Sequence, residues 1–358
     1  MTIKEREFAR EQVSAPGSSK SYSRVMRFTS AGTALLLAAI LGLAVARPAV
    51  AQRQDGVVFT RTTPLADLAE IERRTRPPVY ASKIVAHGQA VDISKEHFVV
   101  YVPSRKPPEG YALLVFVPPW DEARLPPDWV PILDEKGVIF ASASRSGNDT
   151  DVRTRREPLA LIAAVNLIQE YGVDPSRVLV GGFSGGAEVA MRLALAYPDL
   201  FRGAFMNSGN DTIGTMQTPI PPADLFRKFQ EDSKLFYVVG DGDGTRVNHQ
   251  NNSVQSMRAW CVSHVDHRVM PNTGHDVATA RALEVALTAL LGPAESTPGD
   301  LSSCRAGLIS RRDAKMQIVQ DFLARGDHAA ARRALDDVDA EFGGLAAPES
   351  LDLDAKIH

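Results

Sequence analysis

The sequence is short of several things, and each shortage narrows the field. Cysteine occurs twice and tryptophan three times in 358 residues, and Lys and Arg together (40) fall below Asp and Glu (43), for a formal charge of −3. Without a basic excess there is no electrostatic footprint of a nucleic-acid binder. Glycine (26) and proline (23) stand at ordinary levels, with 44% hydrophobic, 23% charged and 7% aromatic residues, which excludes a collagen, a coiled coil or a wholly disordered chain. The length accommodates one domain of about 250 residues with an appendage, or two small domains.

The charge-free run Thr33–Ala46 (TALLLAAILGLAVA) is too short for a comfortable membrane span. Arg24 and Arg27 precede it, and the triplet Ala49-Val50-Ala51 stands before Gln52, the order of a secretory leader. Residues 1–51 are therefore expected to be a signal peptide, with Met26 as the expected true start; an uncleaved anchor is the alternative. No cysteine lies near the cleavage site, which argues against a lipoprotein. Removing the leader's seven Lys/Arg and three Asp/Glu takes the net charge to −7 over 307 residues. An acidic chain outside the cytoplasm has little affinity for anionic polymers or membrane surfaces. Cys261 and Cys304 both survive processing, and in an oxidising compartment they form a plausible disulfide, the alternative being two buried thiols.

Beyond the leader, strand and helix patterns alternate. Strands are expected at 82–93, 97–104, 111–118, 137–142, 177–181, 203–207, 235–240 and 265–270, and helices at 157–171, 186–197, 248–264 and 277–291. The short Pro-rich link 105–110 suggests that the strands on either side of it pair as neighbours. Such alternation implies a mostly parallel sheet covered by helices on both faces, with ligands gathering at the carboxyl ends of the strands.

Three candidates fall just after strands. Gly182-Phe183-Ser184-Gly185-Gly186 is G-x-S-x-G between a strand and a helix. Glycines at 182 and 186 clear the space that a strained turn needs, so that Ser184 projects its hydroxyl and the Gly185 N–H faces a developing oxyanion. Asp243, with Asp241 as the alternative, lies in the loop after LFYVVG, where a carboxylate would orient an imidazole. His275 lies in the loop after the last strand. The loop at Asp241 and Asp243 resembles a calcium loop only faintly, because Thr245 and Arg246 stand where an oxygen ligand and a Gly belong. His264 and His267 lack companion ligands, so no metal site is expected. A second oxyanion donor is sought in Pro118-Pro119-Trp120-Asp121, at the backbone N–H of Trp120 or Asp121. Phe183, Asn148 and Asn207 are expected to border the pocket.

Residues 80–292 resemble an α/β-hydrolase. The stretch 172–209, with its DPSRV lead-in, elbow and YPDLF exit, resembles secreted esterases of the polyhydroxybutyrate-depolymerase and feruloyl-esterase kind. The resemblance implies ester hydrolysis through an acyl-enzyme at Ser184, Asp243 and His275, with no cofactor. Pro118-Pro119 departs from the His-Gly common in such enzymes. The expected organisation is a leader (1–51), an N-terminal segment (52–79), the α/β-hydrolase domain (80–292), a linker (293–311) and a helical hairpin with a tail (312–358). The hairpin, built from 312–325 and 329–342, is expected to pack on the hydrolase body. Residues 212–231 would be either a small cap or an ordinary connection.

The function expected is that of an exported serine hydrolase, periplasmic or secreted, acting on a small-molecule or polymeric ester. Neither nucleic acid nor, after leader removal, a stable membrane association is expected as a partner. A peptidase on the same fold and a non-catalytic binding protein are the competing readings.

Overall fold

The computed structural model describes residues 51–84, 87–293 and 301–357; the expected leader up to residue 50 lies outside them. The strands are β1 (Gln52–Val57), β2 (Phe98–Val102), β3 (Tyr111–Val117), β4 (Val138–Ala143), β5 (Val173–Phe183), β6 (Gly203–Asn207), β7 (Lys234–Gly240) and β8 (Val265–Met270). The helices are α1 (Leu68–Thr75), α2 (Pro78–Ala81), α3 (Val130–Lys136), α4 (Glu157–Tyr171), α5 (Gly185–Ala196), α6 (Ala223–Asp232), α7 (Gly244–Ala259), α8 (Ala280–Leu291), α9 (Leu301–Ala324), α10 (His328–Phe342) and α11 (Glu349–Ile357).

The strands form one sheet in the order β1-β2-β4-β3-β5-β6-β7-β8. The pairs β1–β2 and β2–β4 are antiparallel, and the rest are parallel. Every residue of β3 is buried, as a strand covered on both faces requires. Its side chains alternate between two cores. Leu113, Val115 and Val117 face a layer containing α4, α5 and α7, while Leu114 and Phe116 face α3 and α8. On the second face the Phe116 ring meets Trp129 edge-on at 5.3 Å, and the Trp129 Nε1–H donates to the Ala278 carbonyl at 2.8 Å. Local signals end the helices as expected: α4 carries Pro158 in its first turn and stops at Gly172, which adopts the left-handed conformation.

Two expectations about the early sheet need correction. The first strand is β1, and the described residues of 82–93 form none; there Gln89 makes one isolated bridge with Asp67, whose carboxylate accepts the Gly88 N–H at 3.0 Å. β1 (QRQDGV) is polar and largely exposed at the sheet edge, so it shows no apolar alternation to read. Nor are β2 and β3 neighbours, because β4 lies between them. Strands are spaced about 4.8 Å apart, so the six-residue link from 105 to 110 easily spans two positions.

The C-terminal helices dock on this body. The part of the expected linker that is described, from Leu301 on, is helical, and α11 is a third helix beyond the expected hairpin. The Phe342 ring packs edge-on against Trp260 at 5.7 Å, and the Gly344 N–H donates to the Ile220 carbonyl at 2.6 Å. Arg305 reaches Gln230 and Glu231 at 2.7 Å each. Residues 212–222 are held among these elements and lead into α6, so this stretch is a packed connection: Ile213, Thr218 and Ile220 are buried, and Gly214 abuts the Trp260 ring.

A Cys261–Cys304 disulfide, closing a separation of 43 residues, ties the end of the α7 segment to α9. In the chain-entropy account, such a loop contributes about 4 kcal/mol. The double variant Cys261→Ser/Cys304→Ser should therefore melt well below the parent, and reduction should lower the parent's melting temperature to match it. Equal melting temperatures in scanning calorimetry would contradict this.

Asp339 of α10 is 1% exposed and accepts the Val79 N–H of α2 at 3.4 Å. Burial, with Asp336 and Asp354 nearby, pushes its carboxyl up to about 6. The folded chain thus holds a proton that the unfolded chain, with a carboxylate near 3.9, releases earlier. This contribution favours folding below about pH 4 and is lost as pH rises through about 6. Asp339→Asn should raise stability by up to about 3 kcal/mol at pH 8 and by little at pH 4. Urea melts at the two pH values check the sign.

Candidate active site

The site is assembled at the carboxyl ends of β5, β7 and β8. At the end of β5 the chain turns sharply into α5, with Ser184 at φ 53° and ψ −126°. A positive φ in a non-glycine residue is strained, and it persists only where the surroundings over-determine it. Here the Ser184 N–H donates to the Asn207 carbonyl of β6 at 2.8 Å. The flanking glycines are a steric requirement: a Cβ on Gly182 would overlap Gly186, and one on Gly186 would overlap the Val117 carbonyl. The turn places the Ser184 side chain at the amino end of α5, where the helix dipole favours negative charge.

His275 Nε2 lies 2.9 Å from Ser184 Oγ, and His275 Nδ1 lies 2.7 Å from Asp243 Oδ2. The His275 side chain is 41% exposed and the Asp243 side chain 16%, so the carboxylate is the more sheltered end of the chain of contacts. Asp243 also caps α7, its Oδ1 accepting the Arg246 N–H at 3.2 Å. Both carboxylate oxygens are thereby occupied and the side chain is held in one orientation. Arg246 in turn pairs with Glu188 of α5 at 3.0 Å, which links the helix after the acid to the helix after the serine.

Asp241, the alternative acid, sits elsewhere. Its oxygens accept the backbone N–H groups of Asn272 (3.0 Å) and Thr273 (3.1 Å), which hold its carboxyl below the usual carboxylate range. Gly240 permits the close approach of this loop, because a Cβ there would overlap the carbonyls of Thr273 and Gly274.

Of the residues expected at the pocket, Phe183 lies tilted against the His275 ring at 4.9 Å and against Trp120 at 5.9 Å. Asn148 is exposed, and its side chain lies against Gly185, so that a Cβ there would displace the Asn148 carboxamide. Asn207 does not line the pocket. It is 0% exposed, and its carboxamide accepts the Ala278 N–H at 2.6 Å and donates to the Asp276 carbonyl at 3.3 Å. An asparagine following a strand signals proximity to a site, but not whether its side chain faces the cleft or the loop behind it.

The segment 118–121 reaches the elbow from β3, with Pro118 packed next to Gly186. The Pro118 carbonyl accepts from buried Arg156 at 2.8 Å, and the Pro119 carbonyl accepts the Asn148 N–H at 3.0 Å. Arg156 also donates to the Ser146 carbonyl at 3.0 Å, and burial pushes its guanidinium down to about 10. One side chain thus fixes both backbone segments beside Ser184. Nothing in the local sequence distinguishes Arg156 from Arg153 and Arg155, so its place was not readable in advance.

Among the described residues no cluster of three or more His, Cys, Asp or Glu could hold a metal ion.

The strand order and the strand-to-helix elbow are those of an α/β-hydrolase fold. A profile of the phospholipase/carboxylesterase family matches residues 142–222, the stretch from β4 through the elbow to the start of α6. No curated protein sequence matches the chain. Similar solved structures include a ferulic acid esterase (17% identity, 54% of this chain and 88% of that one, TM-score 0.38). An S-formylglutathione hydrolase from Agrobacterium tumefaciens is also similar (13%, 54% and 86%, TM-score 0.38). So are prolyl endopeptidases (14%, 68% and 38%, TM-score 0.42). The chain spans only 33% to 38% of the length of the peptidases it matches. Likeness this distant says nothing about substrate.

Proposed function

We propose that this chain is an exported serine hydrolase that cleaves carboxylic esters through an acyl-enzyme. The observation that carries the reading is the unbroken contact chain Ser184 Oγ–His275–Asp243 at 2.9 and 2.7 Å, with the serine on a strained elbow. His275 Nε2 takes the hydroxyl proton as Ser184 Oγ bonds to the ester carbonyl carbon. Asp243 keeps the imidazole in the tautomer with its free lone pair on Nε2 and stabilises the imidazolium that forms. The Gly185 N–H, at the start of α5, and a backbone N–H of the 118–121 segment, at Trp120 or Asp121, donate hydrogen bonds to the developing oxyanion. Collapse expels the alcohol, which takes the proton from His275. Water, deprotonated by the same imidazole, then releases the acid and restores Ser184.

Phe183 and Trp120 supply an apolar wall next to His275, and Asn148 a polar edge beside Gly185. Export is supported by the leader pattern at 26–51 and by the disulfide, which persists in oxidising compartments. The test is a panel of esters graded in chain length and including aromatic acids, assayed beside aminoacyl amides. Turnover of esters with amides at background is the expected result. Amides cleaved faster than any ester would replace this reading with a peptidase, and no turnover with no labelling of Ser184 by a fluorophosphonate would leave a binding protein.

A further inference from the structure

The loop from Pro271 to Thr279 carries His275 on exposed backbone, yet its imidazole must stay within proton-transfer distance of Ser184. Two side chains outside the loop grip it at either end. At its start, Asp241 accepts the N–H groups of Asn272 and Thr273 at 3.0 and 3.1 Å, and the Gly242 N–H donates to the Thr273 carbonyl at 2.9 Å. At its end, Asn207 binds the Ala278 N–H at 2.6 Å and the Asp276 carbonyl at 3.3 Å. The backbone carbonyl of this same Asn207 accepts the Ser184 N–H at 2.8 Å. One residue therefore touches the elbow through its main chain and the histidine loop through its side chain.

Resting on the catalytic reading above, we propose that Asn207 and Asp241 are positioning residues, a two-point clamp that sets the separation of His275 from Ser184. Neither contacts the reacting atoms. Asn207 is completely buried and supplies both a donor and an acceptor to the loop, so an apolar residue of the same shape leaves the Ala278 N–H and the Asp276 carbonyl without their partner. The loop is then free to shift, and a misplacement of about 1 Å between reacting groups can cost about a hundredfold in rate. Asp241 works from the exposed side, where water substitutes for it in part, so its removal should matter less.

The test uses the full mature chain and three variants: Asn207→Leu, Asn207→Asp and Asp241→Ala. The rate of Ser184 labelling by a fluorophosphonate is measured beside kcat and KM for a short acyl ester. Labelling needs the Ser184–His275 pair but no particular ester, so it separates failure of this inference from failure of the substrate assignment. Asn207→Leu should label about 10- to 100-fold more slowly, with kcat reduced in parallel and KM within about threefold. Asn207→Asp, which keeps the acceptor for the Ala278 N–H, should recover part of that loss. Asp241→Ala, at an exposed position that does not threaten folding, should slow labelling about threefold. A folded Asn207→Leu, or an Asp241→Ala, that labels at the parent rate would overturn the two-point clamp. If both Asn207 variants fail to fold, Asp241→Ala decides alone. A parent chain that takes no label would overturn the catalytic reading together with the inference. A parent that labels but cleaves no ester would overturn only the substrate assignment.

Discussion

Ser184→Ala should lower kcat on a short acyl ester by about a million-fold and abolish fluorophosphonate labelling, while binding of a slow ester analogue stays within a few-fold. The size follows from the site's construction. Without Oγ there is no nucleophile, so the acyl-enzyme route closes and His275 is left with only water to activate. What remains is the binding cleft with its backbone oxyanion donors, which supply a residual acceleration of about 10³–10⁴ over the uncatalysed reaction. About 8 kcal/mol of transition-state stabilisation is then lost at a single atom. Stability should not fall, because alanine removes an oxygen whose hydrogen-bond partner in the structure is His275. The positive φ of 53° persists in the variant and strains alanine as it strains serine. Equal ester turnover by parent and variant would sink the catalytic reading.

Asp243→Asn should reduce kcat about ten-thousandfold with little change in melting temperature. The two oxygens of Asp243 have different tasks, and an amide performs only one of them. Its carbonyl oxygen still accepts the Arg246 N–H and caps α7, which preserves about 1 kcal/mol of helix stability. Its NH₂ group then faces His275 Nδ1, where the native carboxylate accepts a hydrogen bond from the Nδ1–H. That reverses the tautomer, puts the proton on Nε2 facing Ser184 Oγ and removes the base. Asp243→Ala would lose the cap as well and should melt lower. The companion variant Asp241→Asn tests the assignment between the two aspartates: its carboxamide still accepts one loop N–H, so its loss should stay below the roughly threefold expected of Asp241→Ala. A large loss at Asp241 with a small one at Asp243 would exchange their roles.

The sequence of this chain is legible where local covalent geometry decides. A serine can occupy the elbow only if residues 182 and 186 have no Cβ, and that demand is visible as two letters on either side of Phe183-Ser184-Gly185. The buried strands are legible because a strand covered on both faces must be largely apolar, as β3 and β4 are, with Ser142 the one hydroxyl among them besides Tyr111. β1 was missed because an edge strand answers to water on one side and carries no such pattern. The pairing of β2 with β4 was missed because register across a sheet depends on where other segments insert, and a short link constrains distance without naming a neighbour. Asn207 lies beside the elbow, with its carboxamide turned to the histidine loop. Its position after β6 follows from the strand, whereas the direction of its carboxamide follows from the unpaired N–H and carbonyl groups of the loop that arrives 70 residues later.

By itself the sequence determined the kind of backbone present, the identity of the elbow, and the order serine, aspartate, histidine along the chain, because these depend on steric demands between residues close in sequence. Tertiary structure alone decided which of two aspartates two residues apart meets the imidazole and which meets the loop backbone. It also decided that Arg156 anchors both segments beside the elbow and that the C-terminal helices lie against Trp260. Each of those outcomes depends on hydrogen-bonding groups and apolar surfaces that are separated along the chain and face one another only once the sheet has formed.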